Sequence, residues 1–115
     1  MNAKIVSVFK HRIRTCVVVE MSILHMGTFH NGYVSIRKRH NGEGYDKFAG
    51  KIEADELTFA GDLSHFKDKR IPKELWFLGF DSNHCWNDER PISKTFDSVK
   101  ARTIELANEL VEKGI

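Results

Sequence analysis

The chain has 115 residues, 41% hydrophobic, 30% charged and 10% aromatic, a globular balance sized for one hydrophobic core, so a single domain over residues 1–115 is expected. No run approaches the roughly 20 apolar residues of a membrane helix and nothing at the start reads as a signal peptide, which excludes a membrane partner. Two cysteines, Cys16 and Cys85, are too few for a disulfide scaffold and point to a reduced, cytoplasmic setting. The net charge of +2 conceals an asymmetry: residues 1–40 hold seven Lys/Arg against Glu20 alone, and residues 41–115 hold eleven against fifteen acids. So basic an N-terminal part suggests an anionic partner such as a phosphate, nucleotide or nucleic acid.

In chain order, Ile5–Phe9 predicts a short strand. Arg12–Met21 predicts a longer one, carrying the β-branched run of residues 15–19. Ser22–Asn31, with Gly27, His25 and His30, predicts a connecting loop. Tyr33–Arg37 alternates at period two, a strand with one solvated basic face. Asn41-Gly42-Glu43-Gly44 marks a turn, residues 45–53 are mixed, and Glu56–Gly61 predicts a strand. Ser64–Lys73, charged and containing Pro72, predicts a surface connection or one helical turn. Leu75–Phe80 is the most apolar strand and is expected at the centre of the sheet. From Ser93 or Thr95 to Lys113, the spacing of Phe96, Val99, Thr103, Leu106 and Leu110 predicts an amphipathic helix, with Gly114 as its C-terminal cap. The class is α+β: a small, mostly antiparallel sheet of five or six strands with a long C-terminal helix packed on it.

The stretch WFLGFDSNHCWND (residues 76–88) passes abruptly from core to polar. Asp81, His84, Cys85 and Asp88 include zinc donor types, but their spacing matches no strong metal signature. Adjacent His84 and Cys85 do not make a nucleophile and base, and no phosphate loop or serine elbow is present. Asp55-Glu56 and Asp88-Glu89 read as solvated turn residues. A nucleotide pocket needs flat walls, edge-reading polar groups and phosphate donors. Phe77, Phe80 or Trp86 offer the first, Asn83, Asn31 and Asp81 the second, and Arg37 or Arg39 the third. The competing reading places Phe77 and Phe80 in the core and makes Asp81-Ser82-Asn83 an Asx turn. Direct nucleic-acid binding through Arg37–His40 is a neighbouring reading.

Four segments, HNGYVSI (residues 30–36), GYDKF (44–48), ELTFAG (56–61) and WFLGFDSNH (76–84), followed by the terminal helix, resemble in order and spacing a group of small phage-encoded proteins. Within that group the chain looks like the anti-defence sponges that counter the Thoeris system. The resemblance implies a non-enzymatic protein of the host bacterial cytoplasm without metal or cofactor. It would sequester a cyclic ADP-ribose isomer or a cyclic oligonucleotide uncleaved, as a homo-oligomer with interface pockets. Asn83, His84, Asp81, Phe77, Phe80, Arg37, Asn31 and Tyr33 are the implied ligand contacts. The chain departs from the group at Asp55-Glu56, where two glycines are favoured, and at residues 85–87; residues 1–28 carry no shared motif. Two alternatives stand beside this reading: an anti-CRISPR-type inhibitor docking on a host nuclease or nucleic-acid complex, and a small hydrolase using His84 with Asp81.

Overall fold

The computed structural model describes residues 2–25, 27–83 and 91–115. Five strands, β1 (Asn2–His11), β2 (Arg14–Ile23), β3 (Gly27–Ser35), β4 (Phe59–Gly61) and β5 (Phe77–Asp81), form one sheet. Their order is β1-β2-β3-β5-β4, each neighbour antiparallel to the next. A single-turn helix α1 (Asp46–Ala49) lies between β3 and β4, and the 17-residue α2 (Phe96–Glu112) follows β5. The α+β class and the five-stranded antiparallel sheet with its terminal helix are those expected.

The two faces of the sheet collect different residues. On the face that carries α2, Cys16, Val18, Val34, Leu78 and Phe80 pack with Val99, Leu106, Ala107 and Leu110, joined by Phe48, Ile52 and Leu57 from the β3–β4 connection. On the other face Val17, Val19, Tyr33 and Phe77 pack with Leu63 and Ile71 from the β4–β5 connection. β2 is buried on both sides from Arg14 to Val19, which explains its unbroken β-branched run. Thr95 caps α2 by accepting a hydrogen bond from the Ser98 N–H at 3.3 Å, and Gly114 leaves the helix at φ +69°, the left-handed conformation that suits glycine.

Several expectations need correction. The loop expected over residues 22–31 contracts to a hairpin turn, because His25 and Gly27 take left-handed backbone (φ +68° and +86°) and let β2 run to Ile23 and β3 begin at Gly27. The polar residues of Thr28–Asn31 hid a strand whose two faces are both occupied. β1 extends well beyond Ile5–Phe9, with an irregularity between Ile5 and Ser7. The strand expected over 56–61 shortens to Phe59–Gly61 at the sheet edge, with the Thr58 N–H donating to the Gly79 carbonyl at 2.9 Å just before it. The apolar strand near residue 77 lies between β3 and β4, one place from that edge; it is buried on both faces because connections cover it from either side.

Candidate functional site

The sequence-predicted site residues fall into three groups. Asn31, Tyr33 and Asp81 come together. Asn31 and Asp81 are cross-strand partners on β3 and β5, and Tyr33 lies two residues along β3 opposite Gly79. All three therefore project from the face away from α2. Phe59 of β4, also paired with Gly79, joins them, its ring edge-on to Tyr33 with centroids 5.2 Å apart. Thus β3, β4 and β5, which hold the segments HNGYVSI, ELTFAG and WFLGFDSNH, are neighbours in the sheet. The fourth segment, GYDKF, delivers Phe48 to the α2 side.

Two glycines make this arrangement possible. A Cβ on Gly79 would lie 2.4 Å from the Tyr33 ring, so only glycine lets that ring lie across β5. A Cβ on Gly32 would meet Thr103 Oγ1 at 2.2 Å and Phe80 at 2.7 Å, so this glycine allows α2 to approach the opposite side. The Tyr33 hydroxyl sits 3.5 Å from Asn31 Nδ2. Burial raises the phenol pKa, the Asn31 contact opposes that, and the Asp81 charge adds to it; the hydroxyl stays protonated and available as a donor. Asn31 is only 8% exposed, and its Oδ1 is buried with no hydrogen-bond partner among the described residues. A buried amide oxygen left unmatched costs about 1–3 kcal/mol, which makes it the least settled polar atom of the cluster.

At the end of β5, Asp81 accepts a hydrogen bond from the Asn83 N–H at 2.9 Å, an Asx turn. The Ser82 hydroxyl donates to the His30 carbonyl at 2.7 Å and accepts from the His30 N–H. It extends the β3–β5 ladder by one step. Asn83 is exposed, and its Oδ1 accepts from Lys94 Nζ at 3.4 Å.

The remaining expected contacts do not join this group. Phe77 and Phe80 are buried core residues on opposite faces of β5, so neither presents a stacking wall; the polarity break after Phe80 marks the end of the core. Arg37 is exposed just beyond the other end of β3. Six residues of extended chain separate it from Asn31 and four from Tyr33, about 20 Å and about 13 Å of backbone. His84, with Cys85, Trp86, Asn87, Asp88 and Glu89, lies outside the described residues. Phe59 was missed as a site residue, although the LTF of its segment is the signal that finds it.

The solvated basic face expected over Tyr33–Arg37 is not found: Tyr33, Val34, Ser35 and Ile36 are all buried, and only Arg37 is exposed. Arg14 is buried, donating to the carbonyls of Ser35 at 3.1 Å and Ile115 at 2.7 Å. Burial, reinforced by Arg37, lowers its pKa. Arg39 donates to the Gly114 carbonyl at 2.7 Å, and both arginines thereby fasten the segment after α2 to the sheet. Asp55, read as a solvated turn residue, instead pairs with Arg102 at 2.7 Å, their side chains 7% and 14% exposed. Among the described residues no helix is long and apolar enough to cross a membrane.

A scan against protein-family models gives no match, and searches of the curated proteins and of the solved structures give none either.

Proposed function

We propose that the protein is a phage counter-defence sponge that binds a nucleotide-type immune signal, a cyclic ADP-ribose isomer or cyclic oligonucleotide, and holds it uncleaved in the host cytoplasm as a homo-oligomer. The observation that carries the reading is the buried Asn31 Oδ1, without a hydrogen-bond partner among the described residues, beside the Tyr33 hydroxyl and Asp81. Asn31 Oδ1 offers an acceptor and the Tyr33 hydroxyl a donor, the complement of an amino-bearing base edge or a ribose diol, and Phe59 supplies an aromatic edge. The convergence of three motif-bearing strands at this place supports the reading: Asn31, Tyr33 and Asp81 share one face, and Gly32 and Gly79 serve the packing around it. Sequestration requires tight capture alone, and nanomolar binding corresponds to about −12 kcal/mol. Arg37, exposed just beyond the end of β3, is the candidate phosphate contact.

The test is a thermal-shift screen of the purified protein against cyclic ADP-ribose isomers and cyclic di- and trinucleotides. A native-state ligand raises the melting temperature by mass action. The expected result is a rise with one class, abolished in Asn31→Leu, with intact nucleotide recovered after heat denaturation. Recovery of cleaved nucleotide alone identifies an enzyme instead. No shift with any member of the panel overturns the reading in favour of a macromolecular partner.

A further inference from the structure

Between β4 and β5, the connection over residues 64–73 packs Leu63 and Ile71 against the sheet and forms a concavity of about 760 Å³ lined by Ser64, Lys67, Asp68, Lys69, Ile71, Pro72 and Lys73. We propose that this concavity is a second binding site, distinct from the Asn31–Tyr33–Asp81 cluster, for a ligand with closely spaced phosphates.

Three ammonium groups line it against one carboxylate, and that carboxylate is already taken. Asp68 accepts from Arg70 Nε at 3.0 Å and Nη2 at 2.7 Å, and from the Arg70 N–H at 2.9 Å. These contacts hold its pKa down to about 2, so Asp68 is balanced by Arg70 and leaves the lysines uncompensated. The flanking acids Asp62 and Glu74 do not line the concavity. Asp62 is occupied by the N–H and hydroxyl of Ser64. Lys67, Lys69 and Lys73 are exposed and have no ion pair among the described residues. Three like charges around one hollow repel one another, and a multivalent anion relieves that repulsion while releasing its own counterions.

The backbone fixes where one of the three starts. Lys67 closes the short turn Ser64–Phe66 in the left-handed conformation, φ +55°, its N–H bonded to the Ser64 carbonyl at 3.0 Å, which glycine would adopt more readily. The floor is firm: the Asp68 carbonyl accepts from the Ile71 N–H at 3.1 Å, and the Pro72 carbonyl from the Leu75 N–H at 3.3 Å.

Closely spaced phosphates occur in free polyphosphates and along a nucleic-acid backbone, and two probes separate these sources. Sodium tripolyphosphate is titrated by calorimetry and a labelled single-stranded oligonucleotide by fluorescence anisotropy, both at low salt. The expected result is binding of at least one probe, weakened about tenfold or more in the triple variant Lys67→Gln, Lys69→Gln, Lys73→Gln. The charge-matched triple Lys4→Gln, Lys10→Gln, Lys51→Gln should change it less than about twofold, and Tyr33→Phe not at all. The probe that binds tells which source the site serves. Lys67→Gly gives a further check, since it should weaken binding while the melting temperature holds or rises. Equal losses in both triple variants, or no binding of either probe to the wild type, would overturn the proposal. Failure at this site leaves the response to cyclic nucleotides untouched, because the two sites share no residue.

Discussion

At the residue scale, backbone conformation and close contact decide what sequence pattern alone cannot. Gly79 is small because Tyr33 lies on it, so Gly79→Ala should cost about 1–3 kcal/mol from overpacking and also displace the Tyr33 hydroxyl from Asn31; chemical denaturation measures the first effect and nucleotide capture the second. At the β1–β2 turn, Arg12 and Ile13 both have positive φ (+48° and +63°), and Ile13 is 89% exposed. An L-residue there loses roughly 1–2 kcal/mol, and glycine's greater unfolded-state freedom returns about half. Ile13→Gly should therefore stabilise by about 0.5–1 kcal/mol, whereas Ile13→Val, still β-branched, should gain nothing; urea midpoints distinguish them. Burial pushes the Cys16 thiol up to about 12, against the pull of Lys10 and Arg14. An unfolded thiol ionises near 9, so this group's contribution to stability is intact below about pH 9 and is lost as pH rises towards 12. The urea midpoint should fall over that range, with a smaller slope in Cys16→Ala.

At the scale of elements, the fit of α2 depends on two carboxylates that composition gave no reason to single out. Asp55 pairs with Arg102, which also donates to the Ser93 carbonyl at 2.7 Å. Glu109 accepts from the backbone N–H groups of Glu53 and Ala54 at 2.7–3.0 Å. Together they hold the β3–β4 connection against the helix. Removing one member of a buried pair strands the other, so Asp55→Ala should cost about 3 kcal/mol, and Asp55→Ala with Arg102→Leu should recover part of that in a double-mutant cycle. For Glu109, burial alone raises the carboxyl pKa, but Lys113 and the two backbone donors outweigh it and leave it lowered. Its contribution is present at neutral pH and lost as pH falls through the folded value; Glu109→Gln should flatten the acid limb of a stability profile. The helix was legible because its apolar spacing, cap and terminal glycine all agree. The hairpin over residues 22–31 was not, since a strand flanked on both sides carries no alternation.

At the scale of the whole molecule, α2 packs on one face of the sheet, while Asn31, Tyr33, Phe59 and Asp81 gather on the other, beside the second core of Val17, Val19, Phe77, Leu63 and Ile71. The sequence marked Asn31, Tyr33 and Asp81 as polar residues near apolar strands, and their neighbourhood follows from the β3–β5 register, which no short-range pattern encodes. It left Phe77 and Phe80 open between core and pocket, because an aromatic destined for the core and one destined for a ligand wall look alike in one dimension; both are buried. Arg37 was grouped with them by charge, and it lies exposed just beyond the end of β3. The most direct test of nucleotide capture at this face is a ¹⁵N chemical-shift titration of the full chain with the same cyclic ADP-ribose isomers and cyclic dinucleotides. The account predicts saturable shifts of the Asn31 side-chain amide and of the backbone amides around Tyr33, Phe59 and Asp81, absent in Asn31→Leu. Shifts confined to other surfaces, or none with any of these nucleotides, would contradict it.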